Sequence, residues 1–88
     1  MNVALTTRFQ RDVKRAKRRG KDLEKLWAVV RQLRDGVELA PRHRPHRLRG
    51  SWSDYWECHI EPDWLLVWAM GHEELILART GTHSDLFG

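Results

Sequence analysis

Two stretches among the last thirty residues combine histidines with a carboxylate, an arginine and an aromatic ring. The first reads His59-Ile-Glu-Pro-Asp63-Trp64, and the second reads Arg79-Thr-Gly-Thr-His83-Ser-Asp-Leu-Phe87-Gly. A third imidazole, His46, lies shortly before them. Side chains of these types can move protons around a phosphodiester and neutralise the charge that develops on it. The carboxy-terminal half of the chain is therefore where a catalytic site is expected.

RNA carries its own nucleophile, the ribose 2′-hydroxyl. An enzyme that cleaves RNA needs only to remove the proton of that hydroxyl, protonate the leaving 5′-oxygen and stabilise the phosphorane. Histidine, with an unperturbed pKa of about 6.5, can act as the base or as the acid. His83 is the leading candidate for the acid because it follows a glycine turn beside Arg79. The base is His46, His59 or Asp63, and the sequence does not choose among them.

Arg79 is the only Lys or Arg after Arg49, in a stretch with seven acidic residues. Such an isolated cation is expected to have a specific partner, and its planar guanidinium suits the scissile phosphate. Phe87 is predicted to stack on a base, which does not by itself select a sequence. Each residue also has a structural interpretation, since Asp63 could be only the turn residue after Pro62, and Phe87 could pack in the core.

Basic residues are concentrated in the first half of the chain. Residues 1–50 hold fifteen Lys and Arg against five Asp and Glu, whereas residues 51–88 hold one against seven. The dense run of cations between positions 8 and 25 favours a polyanionic partner over a merely solvated face. The residues predicted to bind this partner are Arg11, Lys14, Arg15, Arg18, Arg19 and Lys21.

Length and composition indicate a small globular protein. The 88 residues suffice for one core, so residues 1–88 are expected to form a single domain. The lone Cys58 cannot form an internal disulfide, and no cysteine cluster suggests a structural zinc. No stretch resembles a signal peptide or a membrane span, so a cytoplasmic protein without a membrane partner is expected.

Hydrophobic periodicity predicts two helices near the amino terminus. Thr7 is predicted to cap a helix with Phe9, Val13 and Ala16 on its apolar stripe, and Gly20 to end it. Asp22 is predicted to cap a second helix, which Gly36 ends. The stretch Val37–Pro45 contains two prolines and is predicted to be a loop.

After Arg47 the period changes to two, which predicts strands. Trp64–Met70 is expected to be a central strand buried on both faces, followed by a strand with Leu75, Leu77 and Arg79 on one face. Thr82 is predicted to cap a last helical turn with Asp85. The tryptophans assigned to the core are Trp56, Trp64 and Trp68. The predicted fold class is α+β, with an amino-terminal helical hairpin packed on an antiparallel-rich sheet of about four strands.

The segments His46-Arg-Leu-Arg-Gly-Ser-Trp52, Tyr55 and the stretches beginning at His59 and Arg79 resemble the YafQ branch of the RelE superfamily of toxins. The resemblance is close from residue 46 to the end and rests on helical pattern before that. It implies a RelE-like fold and a ribosome-dependent endoribonuclease, or mRNA interferase, that cleaves messenger RNA in the decoding site. It further implies an antitoxin partner, with operator DNA bound only through the toxin–antitoxin complex. The positions that match the family's active site are His46, His59, Asp63, Arg79, His83 and Phe87.

Three other functions compete with this interpretation. ParE-like relatives inhibit DNA gyrase without nuclease activity, but they lack a comparable histidine set. A passive nucleic-acid-binding module would explain the basic helices, but not the histidines and Arg79. A metal site built from His46, His59, Asp63 and His83 is chemically conceivable. However, cleavage through the 2′-hydroxyl needs no metal, and no cofactor is expected.

Overall fold

Two helices, a five-stranded sheet and a short final helix make up the computed structural model, which describes all 88 residues. The elements in chain order are β1 (Asn2–Leu5), α1 (Thr7–Arg18), α2 (Leu23–Arg34), β2 (His46–Arg47), β3 (Trp56–Glu61), β4 (Trp64–Gly71), β5 (Glu74–Gly81) and α3 (His83–Phe87). Single 3-10 turns at Pro41–His43 and Gly50–Trp52 flank β2. None of the helices has the length and apolar character that a membrane span requires.

The strands are arranged in the order β1-β5-β4-β3-β2, with β1 parallel to β5 and every other pair antiparallel. This confirms the predicted α+β class. The sheet has five strands, where about four were predicted. Strand β2 was missed because it is only two residues long, too short to show a period of two. Strand β4 lies in the middle, and its first five residues are buried, as predicted.

The predicted helix boundaries are confirmed except at the first cap. Thr6, not Thr7, caps α1: its Oγ1 accepts a hydrogen bond from the amide of Phe9 at 3.0 Å. The same hydroxyl donates to the carbonyl of Ala78 at 2.9 Å, so this cap also anchors α1 to β5. Gly20 follows α1 with φ +78°, in the left-handed region where glycine is favoured, and ends the helix as predicted.

The core lies between α1, α2 and one face of the sheet, as the stripes on both helices predict. It contains 13 buried side chains, among them Phe9, Leu26, Cys58, Trp64, Leu66, Trp68 and Leu77. The assignment of Trp56 to this core is wrong. This side chain is 37% exposed, because Trp56 is the first residue of β3 and its outer neighbour is the two-residue edge strand β2.

A β-bulge interrupts β5 beside the candidate site. The cross-strand pairing passes from Trp68↔Leu77 to Val67↔Arg79, so Ala78 is an extra residue on β5. The prediction that Leu75, Leu77 and Arg79 share one face is therefore wrong. Leu77 belongs to the core under the helices, whereas Arg79 pairs with Val67 in the row on the other face.

Candidate active site

The predicted catalytic residues lie on the sheet face away from the helical core and on α3, which follows it. Directly paired residues on neighbouring strands share a face. His46 pairs with Glu57, Glu57 with Val67, and Val67 with Arg79. In the adjacent row His59 pairs with Leu65, and Leu65 with Gly81, two residues before His83. The fold thus gathers residues that are scattered along the sequence.

His83 and Asp63 form the tightest contact of this face. The backbone amide and the ring Nδ1 of His83 both donate to Oδ1 of Asp63, at 2.9 and 2.6 Å. These two hydrogen bonds hold the pKa of the Asp63 carboxyl below its ordinary value. An ionised carboxylate can only accept, so Nδ1 carries the proton and Nε2 remains available. Asp63 is therefore the residue that orients His83, which argues against its role as the base.

His59 lies beside this pair. Its ring centroid is 5.7 Å from that of His83. The carbonyl of Pro62 accepts a hydrogen bond from its Nδ1 at 3.1 Å, which again leaves Nε2 free. A neutral imidazole in this tautomer offers a lone pair at Nε2, and this is the atom a general base needs.

His46 is held differently, because both of its ring nitrogens approach oxygen acceptors. The carbonyl of Arg44 lies 3.0 Å from Nδ1, and Oε1 of the buried Glu57 lies 3.4 Å from Nε2. An unprotonated Nε2 would face a carboxylate oxygen lone pair to lone pair. Neither nitrogen of His46 is therefore as free for a substrate as Nε2 of His59.

Arg79 is not the isolated cation that its sequence neighbours suggest. It is 9% exposed, and its Nε and Nη2 donate to the carboxylate of Asp12 on α1 at 2.7 and 3.3 Å. This edge of the guanidinium fork is therefore closed to a phosphate. Nη1 makes no hydrogen bond within the protein, and no buried side-chain nitrogen or oxygen lacks a partner. Nη1 must therefore reach solvent, where it can contact a ligand.

Phe87 lies at the end of α3 in a small aromatic cluster. Its ring packs edge-on against Trp52, with centroids 5.7 Å apart, and Trp52 in turn packs against Tyr55. The ring is 45% exposed. It is therefore held in place without being part of the core, which suits a stacking platform.

Half of the six predicted RNA-binding cations are paired within the protein. Arg15 and Arg19 both contact Asp85, at 3.5 and 2.7 Å, and Lys21 contacts Glu61 at 3.0 Å. Arg11, Lys14 and Arg18 are exposed and take part in no ion pair. The sequence prediction overestimated the free positive charge because the acidic partners come from the second half of the chain.

The candidate site has little concave surface of its own. The largest hollow, of about 580 Å³, is lined by α2, the segment after it and Ile60, away from His83. A second open hollow of about 320 Å³ adjoins His59 and is lined by Arg42 and Arg44. These two arginines, which the sequence analysis did not single out, add positive charge on the side of His59. An open site of this kind suits a large substrate held by surfaces around it.

Two carboxylates in this region were also missed, Asp12 and Glu57. A signal for Asp12 was present, since it is the only acid in α1 and lies three residues after Phe9, on the side of the buried stripe. Glu57 alternates with buried residues on β3, but nothing in the sequence indicates its pairing with His46.

Fold and sequence together define a class of bacterial toxin. A family model described as the bacterial toxin of a type II toxin–antitoxin system, YafQ, matches residues 1–88. The chain belongs to this family. A curated relative, the mRNA interferase toxin YafQ of Escherichia coli strain K12, is 35% identical over 88 residues, 99% of this chain and 96% of that protein. The predicted family is confirmed, and its predicted class of toxin, an mRNA interferase, is the one named for this relative.

Solved structures agree with the fold. A toxin chain in the crystal structure of the E. coli DinJ-YafQ toxin–antitoxin complex is 36% identical, with a TM-score of 0.90 over 99% of this chain and 97% of that one. A copper-bound mutant toxin from Helicobacter pylori is 39% identical, with a TM-score of 0.95 over 99% of both chains. These matches confirm the RelE-like architecture.

The copper in the Helicobacter pylori toxin is a property of that protein, and the residues of this chain do not reproduce a metal site. No group of three or more His, Cys, Asp and Glu side chains is arranged to hold a metal ion. Nδ1 of His59 and Nδ1 of His83 are bonded to oxygen acceptors of the protein.

Proposed function

We propose that this chain is the mRNA interferase of a toxin–antitoxin pair, a ribosome-dependent endoribonuclease that stops translation in the cytoplasm by cleaving messenger RNA. One observation carries the proposal: His59 and His83 lie with ring centroids 5.7 Å apart, each with Nδ1 bonded to oxygen. Each ring therefore keeps Nε2 for the substrate. Two such imidazoles beside an arginine supply the groups that cleavage through the 2′-hydroxyl requires.

In the proposed reaction, unprotonated Nε2 of His59 takes the proton of the ribose 2′-hydroxyl, and the oxygen attacks the adjacent phosphorus. As the bond from phosphorus to O2′ forms, the bond to O5′ breaks, and protonated Nε2 of His83 gives its proton to the leaving oxygen. The products are a 2′,3′-cyclic phosphate and a 5′-hydroxyl. His59 is preferred as the base because His46 faces oxygen at both ring nitrogens and Asp63 is bonded to His83.

The remaining residues of the proposed site bind and orient the substrate. Nη1 of Arg79 neutralises charge on the phosphorane, while Asp12 keeps the guanidinium in place. Phe87 stacks on a base next to the scissile bond. The His46–Glu57 pair lies in the same cross-strand row as Arg79 and is proposed to contact the substrate on that side.

The proposed partners follow from the surface and from the relatives. A cognate antitoxin is proposed because the similar E. coli toxin was crystallised in the DinJ-YafQ toxin–antitoxin complex. The ribosome is proposed as the second partner, because an open site cannot by itself hold a single messenger strand in the in-line geometry that cleavage needs. Contact with operator DNA is proposed only for the toxin–antitoxin complex.

Cleavage of ribosome-bound messenger by the purified protein tests this proposal. We expect cleavage that needs ribosomes, survives excess chelator and falls by about 10²–10⁴ in His59→Ala and in His83→Ala. His72→Ala, which alters an exposed imidazole in the β4–β5 turn, is the matched control and should retain full activity. Inhibition of DNA gyrase with intact messenger would instead establish the ParE-like function, and loss of activity with chelator would establish a metal requirement.

The dependence of kcat on pH separates the two proposed roles. A base must be unprotonated and an acid protonated, so the native profile should be bell-shaped. His59→Ala should lose the rise of kcat on the acid side and retain the fall on the alkaline side. If His46→Ala were instead the variant that loses the acid-side rise, His46 would be the base.

A further inference from the structure

Arg15 on α1 lies between two carboxylates that belong to different parts of the candidate site. Its Nη2 is 3.1 Å from Oδ1 of Asp12 and 3.5 Å from Oδ2 of Asp85. We propose that Arg15 is a positioning residue that fixes the distance between Arg79 on β5 and the α3 residues His83 and Phe87. This inference rests on the proposed function, since it assumes that Arg79 and α3 act on the same phosphodiester.

Arg15 therefore bridges Asp12 and Asp85. On the Asp12 side of this bridge, the carboxylate of Asp12 determines where the guanidinium of Arg79 points. Oδ2 of Asp12 accepts from Nε of Arg79 at 2.7 Å and from the amide of Thr80 at 3.1 Å. Oδ1 accepts from Nη2 of Arg79 and from Arg15. With both oxygens engaged in a buried setting, the carboxylate has one orientation, and it transmits the position of Arg15 to Arg79.

On the second side, Asp85 attaches α3 to α1. Asp85 forms a capping box with Thr82, and Oδ2 of Asp85 also lies 2.7 Å from Nη1 of Arg19. Helix α3 has only five residues, so it has little stability of its own and depends on such tertiary contacts. The contact of Arg15 with Asp85 therefore helps to determine where His83 and Phe87 lie.

Gly81 provides an independent sign that this arrangement is closely fitted. A Cβ atom added at Gly81 would lie 2.9 Å from Nη2 of Arg15, and equally close to Cβ and Oδ2 of Asp85. Only glycine lets the end of β5 pass this near to the bridge. The backbone that joins Arg79 to His83 is thus packed directly against Arg15.

Binding of Arg15 to ribosomal phosphate is the competing role. Arg15 is 29% exposed, whereas Arg19, which is paired with the same carboxylate, is 47% exposed. A phosphate-binding role therefore predicts that loss of Arg19 matters at least as much as loss of Arg15. A positioning role predicts the reverse, because only Arg15 also contacts Asp12.

The test compares Arg15→Gln, Arg15→Lys and Arg19→Gln in steady-state cleavage of ribosome-bound messenger. The matched control is Arg34→Gln, which removes only an exposed ion pair with the neighbouring Asp35. We expect Arg15→Gln to lower kcat by about ten- to a hundredfold, the size of effect that small misplacements produce. KM should stay within about twofold, because Arg15 is not proposed to contact the substrate and the expected loss is one of alignment in the transition state. Arg15→Lys should recover most of the loss, since an ammonium can also lie between two carboxylates. Arg19→Gln should lower kcat less than Arg15→Gln, because it leaves the contact between Arg15 and Asp12 intact. Arg34→Gln should remain at the native rate.

Two results would overturn the proposal: full kcat in Arg15→Gln, or a loss confined to KM and shared equally by Arg19→Gln. If Arg15→Gln does not fold, Arg15→Met provides the second test, because it keeps the aliphatic stem of the side chain, removes both carboxylate contacts and should lower kcat in the same way. Retained cleavage in His83→Ala would refute the proposed function itself. Native kcat in the Arg15 variants together with loss of cleavage in His83→Ala would refute only the positioning role of Arg15.

Discussion

At the scale of single residues, the proposed roles follow from which polar atoms are already occupied. Nδ1 of His59 and Nδ1 of His83 are bonded to oxygen, so both rings can use only Nε2 on a substrate. One edge of the Arg79 guanidinium is hydrogen-bonded to Asp12, and Nη1 remains available for a ligand. The residue types were evident from the sequence, whereas their division into reacting and supporting groups depends on these contacts.

His83→Ala and Arg79→Ala should differ in stability although both should be inactive. His83 and Asp63 are largely exposed, so His83→Ala should leave the free energy of unfolding almost unchanged. Arg79→Ala leaves the buried carboxylate of Asp12 without its closest partner, and breaking a buried pair typically costs about 3–5 kcal/mol. Urea unfolding of both variants measures this difference. Equal midpoints would show that the Asp12–Arg79 pair contributes little to stability.

At the scale of elements, α1 is divided between two tasks. Its apolar stripe and Asp12 face the core, Arg15 and Arg19 contact Asp85, and the exposed Arg11, Lys14 and Arg18 carry unpaired charge, as do Arg8 and Lys17. The basic run in the sequence is therefore not one uniform binding face. Variants intended to test RNA contact must separate these two groups.

Reversal of charge at Arg11, Lys14 and Arg18 should weaken ribosome binding and leave the fold intact. These side chains are exposed and unpaired, so their proposed contacts are to phosphates, and each lost contact reduces the slope of log affinity against log salt by about one. The measurement is ribosome cosedimentation over a range of salt. As the comparison set, reversal of Arg15 and Arg19 should lower thermal stability because it breaks the contacts of α3. Unchanged ribosome affinity in the triple variant would show that Arg11, Lys14 and Arg18 face solvent and do not bind the ribosome.

Helix α3 should respond to acid through Asp85. The Arg19 guanidinium, helped by Thr82 and Arg15, holds the pKa of the Asp85 carboxyl well below its ordinary 3.8. Because the folded-state pKa is the lower one, this contribution to stability is complete at neutral pH and is lost as the pH falls below about 5.

Asp85→Asn keeps an oxygen for the Thr82 amide but removes the charge. We expect its free energy of unfolding to be lower than that of the native protein by about 1 kcal/mol at neutral pH, as for a partly exposed ion pair. This difference should shrink as the pH falls below about 4, because the carboxyl then becomes protonated in the unfolded chain while it is still ionised in the folded protein. Urea titrations across this range provide the measurement. A difference in the free energy of unfolding that stays constant with pH would mean that the substitution acts through packing and not through charge.

At the scale of the whole molecule, the fold could be predicted from local pattern, but the site could be predicted only in part. Helix stripes, capping residues and the buried β4 depend on residues a few positions apart, which periodicity detects. The ion pairs Asp12–Arg79 and Arg19–Asp85 join residues 67 and 66 positions apart. No local pattern carries that information. The β-bulge at Ala78 likewise follows from the pairing of β4 with β5 and not from the sequence of β5.

The proposed single domain predicts one cooperative unfolding transition. Cys58 is fully buried in the core, and burial raises the pKa of its thiol to about 12, so the native thiol is inaccessible and protonated. Reaction with a thiol reagent should therefore begin only where tryptophan fluorescence reports global unfolding. A Ser84→Cys, Cys58→Ala variant, with its thiol on the exposed face of α3, should react at once. Reaction of Cys58 well before the fluorescence change would reveal a separately unfolding part.

The central claim is that this chain cleaves messenger RNA through the ribose 2′-hydroxyl with His59 as base and His83 as acid. The chemical nature of the new RNA ends, determined on messenger cleaved on ribosomes, tests it most directly. A 2′,3′-cyclic phosphate with a 5′-hydroxyl is the predicted result, formed at a rate lower by about 10²–10⁴ in His83→Ala. A 5′-phosphate end, which requires attack by water in place of the ribose oxygen, or undiminished cleavage by His83→Ala, would contradict the account.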